Sequence, residues 1–440
     1  MRITLRRALI IITVTAFTAV TAYAKPMDFN EAKNTALTNS NMIKSYQSKE
    51  KAASYRHMQA VGGYLPKVSF NQTYMKTDEP ANAAFSKMAQ GRFDMAYFGS
   101  ELPDPEYVSN HQSKIQIMQP IFMNGQIVFG IKQAKEAYKA SKFETERVRQ
   151  FTLFNLHRAF YGLALAEKAL DVVRHSYDRT ERYYKAAQDF YKNGLIVKSD
   201  LLVSETYLLI NEQAVKDAEK QHAVAMSHLQ RILGTDEPIE IIWTDPKLTF
   251  EDNLSHYTQI GLSKRQDLAA MKRYANMSNL ENTKSKVAFL PSLSVFADYQ
   301  RNDNKMFGEN GEGYTFGAQF ELNLFNGFTD YNKVRESKSN HYSMLHQISD
   351  KKLEIKSEIK NSFYGVIAAS KQIEASKKRV EAAQKALEIT ENRFNEGLSK
   401  VTELLDREVD VKQAELKLYI SEHQQIVEKA GLHLAAGTLN

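Results

Sequence analysis

The constraint that dominates this sequence is an internal duplication. Residues 36–66, ALTNSNMIKSYQSKEKAASYRHMQAVGGYLP, lie without a gap over 261–291, GLSKRQDLAAMKRYANMSNLENTKSKVAFLP, at an offset of 225, and both stretches end in Leu-Pro. Further along, Phe160-Tyr161-Gly162 repeats as Phe363-Tyr364-Gly365, and Asn193-Gly194-Leu195 as Glu396-Gly397-Leu398, now at an offset of 203. The change from 225 to 203 puts a net 22 extra residues into the first copy, between its Leu-Pro and its Phe-Tyr-Gly. Any fold must therefore be two versions of one unit, one with an enlarged loop.

Each unit reads as helix, strand, strand, long helix, tip and return helix. Strands are expected directly after Pro66 and Pro291. Val68, Phe70, Gln72 and Tyr74 alternate with Ser69, Asn71, Thr73 and Met75, and Leu293, Val295, Ala297 and Tyr299 with Ser294, Phe296 and Asp298. The second strands run through Ile115, Ile117, Gln119 and Ile121, and through Phe316, Ala318, Phe320, Leu322 and Leu324. Period two with one apolar and one wet face suits a strand between lipid and a polar lumen. A half-buried strand of a soluble sandwich gives the same pattern. The loop at 76–110, containing FSKMAQGRFD and Leu102-Pro103-Asp104-Pro105, is the enlarged one; RNDNKMFGENGEGY at 301–314 is its short counterpart. Asn124-Gly125 and Asn326-Gly327 stand where strand gives way to helix and suit a tight turn with positive φ.

The helices carry a longer pattern. Leu156, Ala159, Leu163, Ala166, Leu170, Val173, Tyr177, Thr180, Tyr184, Ala187 and Tyr191 follow 3-4 spacing, and Ile359, Ser362, Val366, Ala369, Ile373, Ser376, Val380, Ala383, Leu387, Thr390 and Phe394 repeat it in phase. A sustained seven-residue repeat needs a coiled-coil partner. With no proline in 127–190, one helix of about 64 residues is expected, ~96 Å at 1.5 Å per residue.

Residues 1–24 have the layout of a secretory signal: Arg2, Arg6 and Arg7, an apolar stretch from Ala8 to Val20, and a small-x-small site at Ala22-Tyr23-Ala24. Removing them lowers the formal charge from +6 to +3, a balance that gives no reason to expect nucleic acid as a partner. The sequence has no cysteine, which excludes both disulfides and a lipid-modified N-terminus. Past the signal no apolar run approaches the ~18 residues that a spanning helix needs, so entry into a membrane requires a closed β-barrel. Four strands per chain cannot close one; several chains must share it. Three would supply twelve strands, and closure alone also admits two or four.

Catalytic constellations are missing. There is no His-Glu-x-x-His, no Gly-x-x-x-x-Gly-Lys-Ser/Thr and no Gly-x-Ser-x-Gly, and the 11 histidines are scattered. The glycines at 308, 311, 313 and 317 are followed by strand rather than helix, so no helix N-terminus is available to a phosphate. No enzyme activity, cofactor or metal is expected.

The duplicated order of these motifs resembles the outer membrane efflux protein family of the TolC type, over essentially the whole chain after the signal. The likeness rests on the two Leu-Pro strand starts, the QPIFMNGQ and LNLFNGFT turns, the paired tips YKNGLIVKSDLL and RFNEGLSKVTELL, and the closing HLAAGTL. It implies a mainly α chain with β, organised as a trimeric channel-tunnel: a shared 12-stranded outer-membrane β-barrel continued by a long coiled-coil α-helical barrel in the periplasm. The expected domains are the signal peptide 1–24, a first repeat 25–233, an equatorial link 234–252 holding Trp243, and a second repeat 253–440. By the same resemblance the chain is the passive exit duct of a tripartite efflux pump or type I secretion system. Its expected partners are two further copies, outer-membrane lipid, a periplasmic adaptor and an inner-membrane RND or ABC transporter.

Gly194-Leu195 and Gly397-Leu398 would form the adaptor-docking tips, although glycine is also a routine helix stop. Glu403 and Asp406, three apart on one helix face, would multiply into a ring of carboxylates at the periplasmic aperture. A solvated helix face is the plain alternative. The family's usual first acid is replaced by Glu403, and Ser399 stands where a basic residue can sit, so Lys198 and Lys400 are candidates for an aperture link, with Asp200 or Glu403 as acceptor. A periplasmic coiled-coil structural or adaptor protein is the competing reading; the four alternating strands and the lack of a membrane anchor speak against it.

Overall fold

The computed structural model describes residues 25–100 and 104–440; the expected signal peptide and the Leu102-Pro103 step lie outside the described residues. In chain order the elements are β1 (Lys25–Met27), α1 (Phe29–Asn39), α2 (Asn41–Gly62), β2 (Lys67–Thr77), α3 (Pro80–Ala89), α4 (Met95–Ser100), β3 (Val108–Met123), α5 (Gln126–Lys192), α6 (Lys198–Leu233), β4 (Ile239–Ile241), α7 (Leu254–Lys264), α8 (Gln266–Val287), β5 (Ser292–Asp303), β6 (Gly311–Glu321), α9 (Thr329–Asn395) and α10 (Val401–Ala435). The duplication is kept to the residue. α7, α8 and the start of β5 follow α1, α2 and the start of β2 at 225, and α9 and the start of α10 follow α5 and the start of α6 at 203. Even the caps repeat: Asp28 accepts from the Glu31 amide at 2.7 Å, and Asn253 from the His256 amide at 3.1 Å.

The contacts divide the described residues into two compact units, and the long helices α5 and α9 each supply residues to both. One unit contains Asn41–Phe154, Phe250–Ile367 and Glu428–Asn440. Its four-stranded antiparallel sheet runs β2-β3-β5-β6, so the two repeats meet where β3 pairs with β5 and the outer edges of β2 and β6 have no partner strand among the described residues. β2 and β5 begin directly after Pro66 and Pro291. The registers place Phe70, Ile115, Tyr299 and Tyr314 in one row and Val68, Ile117, Ala297 and Phe316 in the next, an apolar face. Asn71, Lys114, Gln300 and Gly313 line the other face, where Lys114 pairs with Asp298 at 2.9 Å and Gln112 donates to Gln300 at 3.1 Å. Phe316 is 84% exposed and Phe70 56%, so the apolar face has no cover among the described residues.

Four details differ from the sequence reading. Ile121 is the bulged residue between Pro120 and Phe122, and Phe122 takes the apolar row beside Leu293 instead, because proline has no amide hydrogen to continue the ladder. β6 stops at Glu321, opposite the first residue of β5, so Leu322 and Leu324 have no strand to pair with. The loops are shorter than expected, since strand persists through Thr77, from Val108, to Asp303 and from Gly311. The positive-φ turn of the first copy falls on Asn124 (39°) and Gly125 (74°), but that of the second on Gly327 (56°) and Phe328 (59°) rather than on Asn326. Below the sheet, Tyr257, Leu268, Ile355, Ile359, Phe363 and Leu432 form this unit's core.

The other unit contains the described residues up to Ser40, Asn155–Thr249 and Ala368–Val427. β1 and β4 form a small parallel pair, and Leu156, Phe160, Tyr161, Leu163, Leu229 and Leu233 pack beside it. Trp243, in the link, meets the Tyr161 ring edge-on at 5.3 Å and receives the Lys168 ammonium 4.5 Å over its own ring. In α9 every residue of the expected seam from Ile359 to Phe394 is buried or half-buried. In α5 the lower seam slips by one position: Ser176, Thr180, Tyr183 and Ala187 are buried, whereas Tyr177 and Tyr184 are half-covered and Tyr191 is exposed. A helix of 3.6 residues per turn drifts against a strict seven-residue repeat, and the adjacent tyrosines at 183 and 184 let the seam move without losing an aromatic.

Candidate functional site: the paired helix tips

Both hairpins turn in the same way. Gly194 (φ 70°) and Gly397 (φ 74°) adopt the left-handed conformation that ends a helix at low cost only for glycine. The Leu195 amide donates to the Phe190 carbonyl and the Leu398 amide to the Arg393 carbonyl, each at 2.8 Å, while the glycine amides donate to Tyr191 and Phe394. These are paired Schellman caps. Leu195 and Leu398 project from the two tips, 70% and 65% exposed.

Beneath the tips a core of Tyr183, Ala187, Leu387, Phe394, Leu404 and Leu405 holds the hairpins, with the Phe190 and Phe394 rings 5.4 Å apart. A polar network, which sequence reasoning missed, crosses it. Arg179 donates from Nε and Nη2 to the two carboxylate oxygens of Glu408, both at 2.7 Å, and the Glu408 side chain is 1% exposed. Burial alone would lower the Arg179 pKa; the bond to Glu408 and its charge outweigh this and raise it. Lys412 donates to Asn211 at 2.6 Å, Asn211 donates to Thr180 at 2.9 Å, and burial depresses the lysine. Burial, reinforced by Glu391 and Glu408, pushes the Tyr183 phenol up. The signal available in the sequence was Glu408 falling in line with Leu404 and Val411, on the apolar side of α10.

Glu403 and Asp406 are both exposed and have different partners. Glu403 accepts from the Ser399 hydroxyl at 2.7 Å and lies 4.0 Å from Arg393, whereas Asp406 accepts from the Tyr207 hydroxyl of α6 at 2.6 Å, a bond that lifts the tyrosine pKa. Ser399, which stands where a basic residue can sit, thus serves the acid directly. Lys198 and Lys400 are exposed beside the two turns and Asp200 is half-buried. Among the described residues no cluster of histidine, aspartate and glutamate could hold a metal ion, and no helix is long and apolar enough to cross a membrane.

The comparisons agree with this architecture. No curated protein is matched by the sequence. By structure the chain is similar to the Campylobacter jejuni CmeC outer membrane channel, with TM-score 0.80 and 16% identity over 93% of this chain and 85% of that one. It is also similar to the Vibrio cholerae outer membrane protein VceC, with TM-score 0.76 and 16% identity over 93% and 96%, and to the Neisseria gonorrhoeae MtrE outer membrane channel, with TM-score 0.73 and 15% identity over 94% and 89%. The sequence pattern of the Outer membrane efflux protein family matches residues 33–235 and 258–438, one stretch for each repeat. The chain therefore belongs to the outer membrane efflux protein family and is an outer-membrane efflux channel that extends into the periplasm.

Proposed function

We propose that three copies assemble into the passive exit duct of a tripartite efflux pump or type I secretion system. In this reading residues 1–24 are removed on export, the repeats 25–233 and 253–440 each give one hairpin of strands and one of helices, and 234–252 forms an equatorial belt. The observation that carries it is the sheet: four strands, one exposed apolar face and two open edges. Unpaired strand edges are not tolerated in lipid, so β6 of one copy is expected to pair with β2 of the next until twelve strands close.

The helices support the same association between copies. Leu202, Val203, Leu209 and Ile210 leave an apolar stripe uncovered on α6, suited to a helix from a neighbouring copy. The exposed tips at Gly194-Leu195 and Gly397-Leu398 are the expected docking points for a periplasmic adaptor, which links the duct to an inner-membrane RND or ABC transporter. The chain has no nucleotide-binding motif, so energy comes from that transporter. Three copies of Glu403 and Asp406 form a ring at the periplasmic aperture that favours cations, with Lys198 and Lys400 as the candidate links between neighbouring helices and Asp200 or Glu403 as acceptor.

Co-purification with the adaptor tests the docking claim. Charged replacements of Leu195 and Leu398 together should abolish capture and export while the channel still assembles in the outer membrane. Undiminished capture by that double variant would remove the tips from the interface.

A further inference from the structure

The residues that enlarge the first copy are not a featureless loop, and α3 has a defined seat. It starts three residues after β2 and lies on β3 and β5 through Ala83, Ser86 and Gln90, all buried. Gln90 donates to the Ser109 carbonyl at 2.7 Å and to the Asn110 side chain at 3.0 Å, and Asn110 donates on to Asn302 at 3.1 Å. Asn110, Asn302 and Gly311 belong to the rows of the polar face, not the apolar one. The contact is close: a Cβ on Gly311 would fall 1.9 Å from the Ala89 carbonyl oxygen, so only glycine admits the helix there. Its opposite side presents Phe85, 67% exposed, and Met88, 53% exposed.

We infer that α3 is a collar inside the exit of the channel, with Phe85 and Met88 narrowing the mouth by apolar side chains. The inference rests on the shared-barrel reading, in which the polar face lines the lumen. A helix seated on that face cannot rest on lipid, and it occupies cross-section that the second copy leaves free, because residues 304–310 form its short hairpin loop. Three such helices facing one axis would place apolar groups where the rest of the wall is polar, the arrangement that gates narrow pores by dewetting.

The sequence contains no cysteine, so Phe85→Cys creates a unique thiol on an exposed side chain. The full-length protein is reconstituted in planar bilayers and treated with a bulky maleimide, with Tyr314→Cys on the apolar face as the control. Modification at 85 should lower single-channel current about twofold or more, modification at 314 should leave it unchanged, and Phe85→Ser with Met88→Ser should raise it. Complete labelling at 85 without loss of current, or equal loss at 314, would overturn the collar. Absence of discrete channel currents from every variant would instead overturn the barrel reading beneath it.

Discussion

The return helices α6 and α10 come from one ancestral pattern and now occupy opposite environments. Leu405 is 1% exposed and Leu202, its counterpart 203 residues earlier, is 50% exposed. Where α6 presents Val203, Leu209 and Ile210, α10 has Asp406, Lys412 and Gln413, and the buried Glu408 of α10 matches the exposed Glu205 of α6. Arg179 likewise matches Ala382, so the ion pair under the tips exists once. The second copy's helix is therefore fitted to the inside of its own chain, whereas the first copy's leaves an apolar face uncovered.

Truncation separates the two helices most sharply. Leu405→Ala should cost about 3 kcal/mol in thermal or denaturant unfolding, the range for a buried leucine. Leu202→Ala should cost under about 1 kcal/mol in the hairpin itself, yet lower the temperature at which the assembled form dissociates when samples are heated stepwise before electrophoresis. Equal costs by both measures would erase the contrast. Arg179→Ala comes next: it strands Glu408 in the core and should destabilise by about 3 kcal/mol, with Glu408→Gln in the same chain restoring part of the loss. Glu205→Ala, at the matching site, should stay within about 0.5 kcal/mol.

The other unit carries a parallel asymmetry. Arg265, whose side chain is 1% exposed, bonds Asp267 at 2.7 Å and also pairs with Glu358, while Lys351 stands 3.5 Å from Asp267. The first copy has Ser40 and Met42 at these positions. Burial would raise the Asp267 pKa, but the Arg265 bonds and the charges of Arg147, Arg265 and Lys351 prevail and lower it. Its stabilising contribution is therefore complete above the ordinary carboxylate pKa, about 3.9, and is lost as pH falls from there toward the depressed value. Melting curves should show a decline below about pH 4 that is shallower in Asp267→Asn. The smallest effect on stability is expected from Glu403→Ala with Asp406→Ala, since both side chains are exposed; bilayer recordings should nevertheless show weakened cation preference, and an unchanged preference would remove the ring.

Much of the architecture could be read before the structure. Strand starts and tips followed from the two offsets, because a repeated unit must satisfy the same backbone constraints twice, and the length of the long helix from the proline-free stretch 127–190. What escaped notice depended on neighbours that periodicity does not encode. The slip from Tyr184 to Tyr183 is decided by packing against α9 and α10, the bulge at Ile121 by the proline before it, and the early end of β6 by where β5 begins. The acidic residues Glu403 and Asp406 were visible as an i, i+3 pair, but their separate partners, Ser399 and Tyr207, were not, since Tyr207 is distant in sequence. Seating of α3 on the polar face required the registers themselves.

In the proposed assembly one chain is a fraction of a wall, and the pore exists only between chains. Native mass determination of the detergent-extracted protein from outer membranes tests it most directly. A species of three chains that carries discrete channel currents and collapses to single chains on boiling is expected; a water-soluble, monodisperse single chain would rule the assembly out.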